Sequence, residues 1–267
     1  MSKEALEYKS NNKKTNYSQM SINDLNKLPK HFGIINFKIS KTSFFILNIF
    51  NDDSSAVKFF WKEHHDLDSL DIWYDICQEE GLYVDVGSHT GLYTLTCLKA
   101  NHSNKVIAIE PFYLNMARLV TNLRINNNIN NVDTIIAAAS NYIGKCKFKI
   151  DSKQSYLSKG GKIDTSGNEI QAITLDSLYT DKLTKKIKGI KIDTEGEDLN
   201  VLIGSENIIK NFRPKIIIEV RDQNKNEIQD FLLKYNYKIY NVLDKKNSIN
   251  LSKLNISNVL NIFAENE

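Results

Sequence analysis

Three observations predict a doubly wound, Rossmann-like α/β sheet of seven strands. From Gly81 onward, short apolar runs alternate with longer amphipathic segments, the pattern of a parallel sheet covered by helices on both faces. The first of these runs leads into a glycine-bearing turn, and acidic residues close several of the others. The first eighty residues lack the alternation, so an α+β extension over 1–80 is expected to precede a main domain over 81–267.

Residues 1–30 are polar and rich in Asn, Ser and Lys, with no sustained apolar period. They are expected to be loosely ordered or peripheral and to carry no chemistry. The runs Gly33–Ile39 and Ser43–Phe50, separated by Ser40-Lys-Thr, read as a strand pair, and helical-looking sequence follows through Glu80. Main strands are expected over Leu82–Val86, Lys105–Ile109, Val132–Ala138, Ile187–Ile192, Lys215–Val220, Tyr237–Val242 and Asn258–Ala264. The last two are close enough to pair as a hairpin. Between the strands, helices run from about Gly91, Phe112, Glu197 and Asn224, the second of them started by Pro111. The interval Tyr142–Ser177 breaks the alternation. It reads as a β excursion with a mobile loop around Gly160, Gly161 and Gly167, inserted before the fourth main strand.

Composition names no partner. The net charge is +3 from 35 basic and 32 acidic residues, too small a bias to mark a nucleic-acid or anionic-membrane surface. Cys77, Cys97 and Cys146 are scattered and lack metal-ligand spacing, so reduced thiols in a cytoplasmic protein are expected. Neither a secretory signal nor a run long enough to span a bilayer is visible.

The densest local signal is Leu82-Tyr-Val-Asp-Val-Gly-Ser-His-Thr-Gly-Leu-Tyr. Here Gly87 would permit a tight turn and close approach of a ligand, while Gly91 would let helix and strand pack closely. Dinucleotide fingerprints carry a third glycine between these two, where the backbone nearly touches the pyrophosphate. His89 occupies that position, with Ser88 before it. A side chain there disfavours NAD or FAD and favours an adenosyl ligand without pyrophosphate, such as S-adenosylmethionine, whose cationic methionine end would suit Asp85. Glu110 closes the second strand, where a carboxylate can accept both hydroxyls of a ribose. The small residues around Ala138, in Ile135-Ile-Ala-Ala-Ala-Ser-Asn, suit the flat face of an adenine or, equally, helix packing.

A second dense segment is Ile190-Lys-Ile-Asp-Thr-Glu-Gly-Glu-Asp. Ligands of open α/β sheets bind outside the carboxyl ends of the strands, so Asp193 should point toward a transferable methyl group, with Glu195 just beyond it. Glu197 and Asp198 have a simpler reading as acids in a helix's first turn, complementing its dipole. Glu219 closes the adjacent strand and should lie near Asp193. The two could accept a proton, clamp a hydroxyl or bind a divalent ion, and Glu219 could equally be a buried acid paired with Lys191 or Arg221. With no His ligand in view, Asp193 is expected to act directly, and Mg²⁺ is the less favoured alternative.

Together, Asp85-Val-Gly-Ser-His-Thr-Gly, Ile109-Glu-Pro, Ile173-Thr-Leu-Asp, Lys191-Ile-Asp-Thr-Glu-Gly-Glu-Asp and Pro214-Lys-Ile-Ile-Ile-Glu resemble the FkbM family of methyltransferases over roughly Gly81–Val220. The resemblance implies a class I methyltransferase fold and S-adenosylmethionine as methyl donor. It also implies hydroxyl groups of sugars, glycans or polyketide-like natural products as acceptors. By position, Asp85, Gly87 and Glu110 match the family's cofactor residues, and Asp193 with Glu195 its acidic motif. Ser88-His89 departs from the Ala-Asn common in the family.

The cofactor set expected is thus Asp85, Gly87, Ser88, His89, Gly91, Glu110, Pro111 and Ala138, and the catalytic set Asp193, Glu195 and Glu219. Two other readings compete: a dinucleotide-dependent oxidoreductase, and a catalytically silent protein that binds adenosyl ligands. Nucleic-acid methylation is disfavoured, because no Asn/Asp-Pro-Pro-aromatic segment follows the fourth strand to hold a flipped base. His64-His65 reads as an exposed pair, and Lys182–Lys188 as a solvated basic cluster.

Overall fold

A computed structural model describes residues 3–63, 66–150, 157, 160–178 and 186–266. The His64-His65 pair and most of the Lys182–Lys188 cluster lie outside them. Lys188, which is described, pairs with Glu79.

The chain begins with α1 (Lys3–Asn11) and α2 (Ile22–Leu25). Neither is loose packing material. Ala5, Tyr17 and Leu25 are buried against Val57 and Trp61, with the Tyr17 and Trp61 rings 5.2 Å apart. The segment is peripheral, as its polarity suggests, but a few apolar residues anchor it. Next come β1 (Phe32–Lys38) and β2 (Ser43–Ile49), an antiparallel pair, then α3 (Ser54–Lys62) and α4 (Leu67–Ile76).

The main sheet contains β3 (Leu82–Val86), β4 (Lys105–Ile109) and β5 (Val132–Ile135), with α5 (Leu92–Ala100) and α6 (Tyr113–Ile125) as crossovers. The predicted strand Val132–Ala138 is divided. Beyond Ile135 the chain leaves the sheet and resumes as β6 (Ala138–Ala139) in a separate sheet with β7 (Gly144–Lys149), β8 (Lys162–Ile163) and β9 (Asn168–Ile173). This is the β excursion. The main sheet continues with β10 (Ile187–Ile192), α7 (Asp198–Ile203), α8 (Glu206–Phe212), β11 (Lys215–Val220) and α9 (Lys225–Lys234). It ends with β12 (Tyr237–Asn241), β13 (Asp244–Ser248) and β14 (Leu260–Asn266).

The strand order is β13-β12-β14-β11-β10-β3-β4-β5. Five strands run parallel, reversing direction of winding between β3 and β10. β14 inserts antiparallel between β11 and β12. The eighth strand, β13, is fully exposed and charged, so it carries no apolar signal that a sequence reading could detect.

Side chains alternate across the pleat, and each face has its own core. On one face, Val84, Ile109, Ile190 and Ile218 pack under α7, α8 and α9. On the other, Tyr83, Ala108 and Ile217 meet α4, α5 and α6, and the same cluster takes in Phe37 and Phe44 of the β1–β2 pair. That pair is stitched to α6 by side chains imitating a strand. Asn126 accepts from the Phe45 amide at 2.9 Å and donates to its carbonyl at 2.7 Å, Asn122 accepts from the Leu47 amide at 2.8 Å, and Arg118 donates to the Leu47 carbonyl at 2.8 Å. The N-terminal segment is thereby fixed beside the carboxyl edge of the sheet.

Candidate active site

A cavity of about 420 Å³ opens at the carboxyl ends of β3, β4, β10 and β11, beside the point where the winding reverses, the usual ligand position in such sheets. Backbone hydrogen bonds lace these strand ends together. The Gly87 and Ser88 amides donate to the Ile109 carbonyl at 2.9 and 3.0 Å, the Asp193 amide to Val86, and the Glu110 amide to Ile135.

Gly87, Ser88 and His89 line the cavity. Gly87 has φ +72°, and a Cβ there would lie 1.8 Å from the Asp193 carbonyl oxygen. The close approach that requires glycine is therefore made by the neighbouring strand, not by a ligand. Gly91 (φ +94°) is the residue preceding α5, and its bare face meets Leu119 of α6 rather than a strand. It does not line the cavity. His89 adopts φ +47°. Its amide donates to Glu110 at 3.0 Å, so the turn's donors at 87, 88 and 89 are all engaged within the protein. A pyrophosphate needs such donors free.

Glu110 is 5% exposed and holds three donors: the His89 amide, the Phe112 amide at 3.0 Å and the Asn115 side chain at 3.1 Å. Burial raises its pKa, against the pull of His89 and these donors. Pro111 lines the cavity but does not start the helix; α6 begins at Tyr113, after Phe112. Ala137, Ala138 and Ala139 line the cavity together with Phe148 and Ile163 from the small sheet that Ala138 and Ala139 join. Phe148 was not legible as a site residue. Its ring rests where a Cβ of Gly161 would be, 2.2 Å away, a pairing fixed only by the fold.

Asp85 does not reach the cavity. Period-two alternation turns it toward α5, where it is fully buried and accepts from Thr94 Oγ1 at 2.6 Å. The β3–β10 register sets Lys191 directly beside it. The Lys191 ammonium lies 3.8 Å from Asp85, 3.5 Å from Asp193, 3.2 Å from the Gly87 carbonyl and 4.8 Å from the Tyr93 ring centre. Burial pulls the Lys191 pKa down, but Asp193, Asp85 and Asp66 together raise it. Asp85 is thus the foundation of an ion chain that ends at Asp193.

Asp193, Glu195 and Glu219 all line the cavity, so the three predicted acids are brought together. Asp193 is 39% exposed. Glu195 sits in a left-handed turn (φ +54°) and pairs with Arg221 at 2.9 Å. The same guanidinium nitrogen pairs with Glu219. Burial and the nearby Asp193 charge push the Glu219 pKa up to about 7, against the opposing Arg221. Glu197 is more than a complement to the helix dipole: it lines the cavity and accepts from Ser140 at 2.9 Å and Asn200 at 3.0 Å. Asp198 is buried and gathers the turn before α7, accepting from the Thr194 amide at 2.9 Å, its hydroxyl at 3.0 Å and the Gly196 amide at 3.3 Å.

The remaining wall comes largely from outside the motifs, with Tyr93, the last residue of the glycine-turn segment, as the exception. Ser54, Ser55 and Lys58 of α3, Asp66 preceding α4, Tyr93 of α5 and Asn261 of β14 all line the cavity. Tyr93 donates to Asp66, and Asn261 to the same carboxylate at 3.4 Å. Among the described residues no group of three His, Cys, Asp or Glu is arranged to hold a metal ion. Cys77, Cys97 and Cys146 are buried and unbridged. No described helix is long and apolar enough to cross a membrane.

Several solved structures are similar. An FkbM methyltransferase from Methylobacillus flagellatus is 14% identical over 79% of this chain, with a TM-score of 0.48. The present chain covers 53% of that protein, about half its length. An S-adenosylmethionine-dependent O-methyltransferase from Thermotoga maritima is 14% identical over 90% of this chain and 78% of its own, with a TM-score of 0.44. An rRNA methylase from Streptococcus thermophilus is 14% identical over 75% and 95%, with a TM-score of 0.45. No curated protein matches the chain with significance. Residues 85–239, more than half of the chain, match the model of the methyltransferase FkbM domain. The strand order, the cavity at the carboxyl edge and this match lead to one conclusion: the chain belongs to the FkbM family of S-adenosylmethionine-dependent, class I methyltransferases.

Proposed function

We propose that this chain methylates a hydroxyl oxygen of a sugar, glycan or related natural product. One observation carries the reading: Glu219, its pKa raised to about 7, stands at the cavity beside Asp193. A carboxylate in that range is a competent acceptor for an alcohol proton near neutral pH.

The residues present fit the cofactor. Glu110, already oriented by three protein donors, keeps acceptor capacity for ribose hydroxyls. Ala137–Ala139, with Phe148 and Ile163, give the cavity a small-residue and apolar lining that would suit adenine. Gly87, Ser88 and His89 would border the cofactor's methionine end and Pro111 its ribose. Asp85 and Gly91 serve from beneath, the first by holding Lys191, the second by seating α5 against α6. Bound there, S-adenosylmethionine supplies a methyl group activated by its sulfonium.

Asp193, held by Lys191, orients the acceptor hydroxyl. Glu219 takes the proton as oxygen bonds to the methyl carbon and the carbon–sulfur pair leaves with sulfur. Glu195 positions Glu219 by sharing Arg221. Positioning and proton acceptance by such a pair contribute on the order of a hundredfold or more. Mg²⁺ would require these same oxygens and is the less favoured route.

The test is methyl transfer by Glu219→Gln and Asp193→Asn with S-adenosylhomocysteine binding measured alongside. Turnover should fall about 10²–10⁴-fold in Glu219→Gln with binding retained. Wild-type turnover should rise with pH through about 7 and lose that rise in the variant. Full activity in Glu219→Gln would transfer the proton to another group. Activity lost with EDTA and restored by Mg²⁺ would replace direct proton acceptance by metal assistance.

A further inference from the structure

The face of α3 on the cavity belongs to the segment that the methyltransferase family match leaves uncovered. Ser54 and Lys58 stand one helical turn apart, with Ser55 between them on the same side. The rest of the helix is wedged between two apolar clusters, Ala56 and Phe59 in one and Val57 and Trp61 in the other. Its orientation is therefore fixed by packing, and the polar face is held over the acceptor side of the site.

Three cations line or underlie that side. Lys191 is engaged by Asp85 and Asp193, and Arg221 by Glu195 and Glu219. Lys58 alone makes no ion pair or hydrogen bond among the described residues, though it lines the cavity. Burial, reinforced by Lys62, lowers its pKa, while Asp66, Asp193 and Asp53 act on it from beyond contact range. A half-buried ammonium without a contact partner is costly unless an anion arrives to meet it. The acids on this wall do not forbid one. Asp193 is paired with Lys191 and Glu219 with Arg221, while Asp66, held by the neutral donors Tyr93 and Asn261, has its pKa raised by burial, which disfavours its charge.

We infer that Lys58, with Ser54, seats an oxyanion of the acceptor, so that the preferred substrate is a hydroxyl compound carrying a carboxylate or phosphate group. The inference rests on the hydroxyl-methylation reading above and names its substrate class. Lys58 is then a specificity residue, contacting substrate away from the reacting oxygen.

The experiment uses the full chain saturated with S-adenosylhomocysteine, whose own binding, measured first, tests the cofactor reading separately. Glucose, glucuronate and glucose 6-phosphate are then titrated calorimetrically. At least one charged sugar should bind about tenfold or more tightly than glucose, the yield of a charge-assisted hydrogen bond. The comparison of glucuronate with glucose 6-phosphate identifies carboxylate or phosphate as the group recognised. Lys58→Met should abolish the preference, Lys58→Arg should retain most of it, and Lys62→Met should leave it unchanged. Equal binding of the three sugars, undetectable binding included, or a preference that survives in Lys58→Met, overturns the inference.

Discussion

At one end of the cavity, the proposed cofactor end, Gly87–His89, Glu110 and Ala137–Ala139 follow neighbouring strands and are fastened to one another largely through backbone groups. At the other end, the proposed acceptor end, Asp66, Tyr93, Asp193, Glu219 and Asn261 come from five separate parts of the chain and are held through side chains, with Lys58 of α3 beside them. Backbone fastening makes the first end intolerant, because changing a residue there disturbs the sheet itself. Side-chain fastening makes the second end adjustable, since one residue can be exchanged while the strands keep their register. The same fold can therefore hold a common methyl donor and vary its acceptor.

The sharpest way to break this contrast is Gly87→Ala. Its Cβ would collide with the Asp193 carbonyl, and φ +72° adds backbone strain. A loss of about 3 kcal/mol or more is expected in chemical denaturation. Gly196→Ala, at φ +119° with nothing within 4 Å of the new Cβ, should cost only the strain, about 1–2 kcal/mol. Equal losses at the two glycines would mean that the 87–193 contact does not hold the floor.

Glu110→Ala should show an intermediate effect. It strands three donors in a buried place, so about 1–3 kcal/mol of stability should be lost, together with affinity for S-adenosylhomocysteine. Wild-type protein at a hundred times the dissociation constant should gain about 2.7 kcal/mol from that ligand; the variant should gain clearly less in the same thermal-shift series. Stabilisation of the wild type by NAD alone would contradict the engagement of the turn's amides. A variant that loses stability but keeps its full ligand-induced gain would make Glu110 a purely structural part of the first end.

The smallest effect concerns Glu219. Its folded-state pKa, about 7, lies above its ordinary value of 4.5, so the folded chain binds this proton more tightly than the unfolded chain. Its contribution to stability is complete below about 4.5 and is lost as pH rises to about 7. Glu219→Gln should remove that loss and gain on the order of 1 kcal/mol relative to wild type between pH 5 and 8, measured by urea midpoints. The gain is reduced by the broken pair with Arg221. A pH-independent difference would show that Glu219 is not the strained member of the acceptor end.

Much of the site was legible because strand periodicity and turn chemistry are local. The apolar runs located all the parallel strands, and acids at their carboxyl ends located Glu110, Asp193 and Glu219. Asp85 shows the limit of that reasoning. Its place in the motif is right beside the turn, yet the pleat directs it to the helix side, where Lys191 in the neighbouring register receives it. The division of Val132–Ala138 was equally hidden, since an apolar run does not reveal which sheet each half joins.

By itself, the sequence determined the doubly wound sheet, the adenosyl-type turn and the acids facing the cavity, because each depends on the spacing of residues within one or two elements. Only the tertiary structure decided that Lys58 and Phe148 line the cavity, that the Phe148 ring lies against Gly161, and that Asp66 meets Tyr93 and Asn261. These contacts join segments far apart in the chain, and their geometry is set by how two apolar cores, one on each face of the sheet, pack the helices and the N-terminal segment into place.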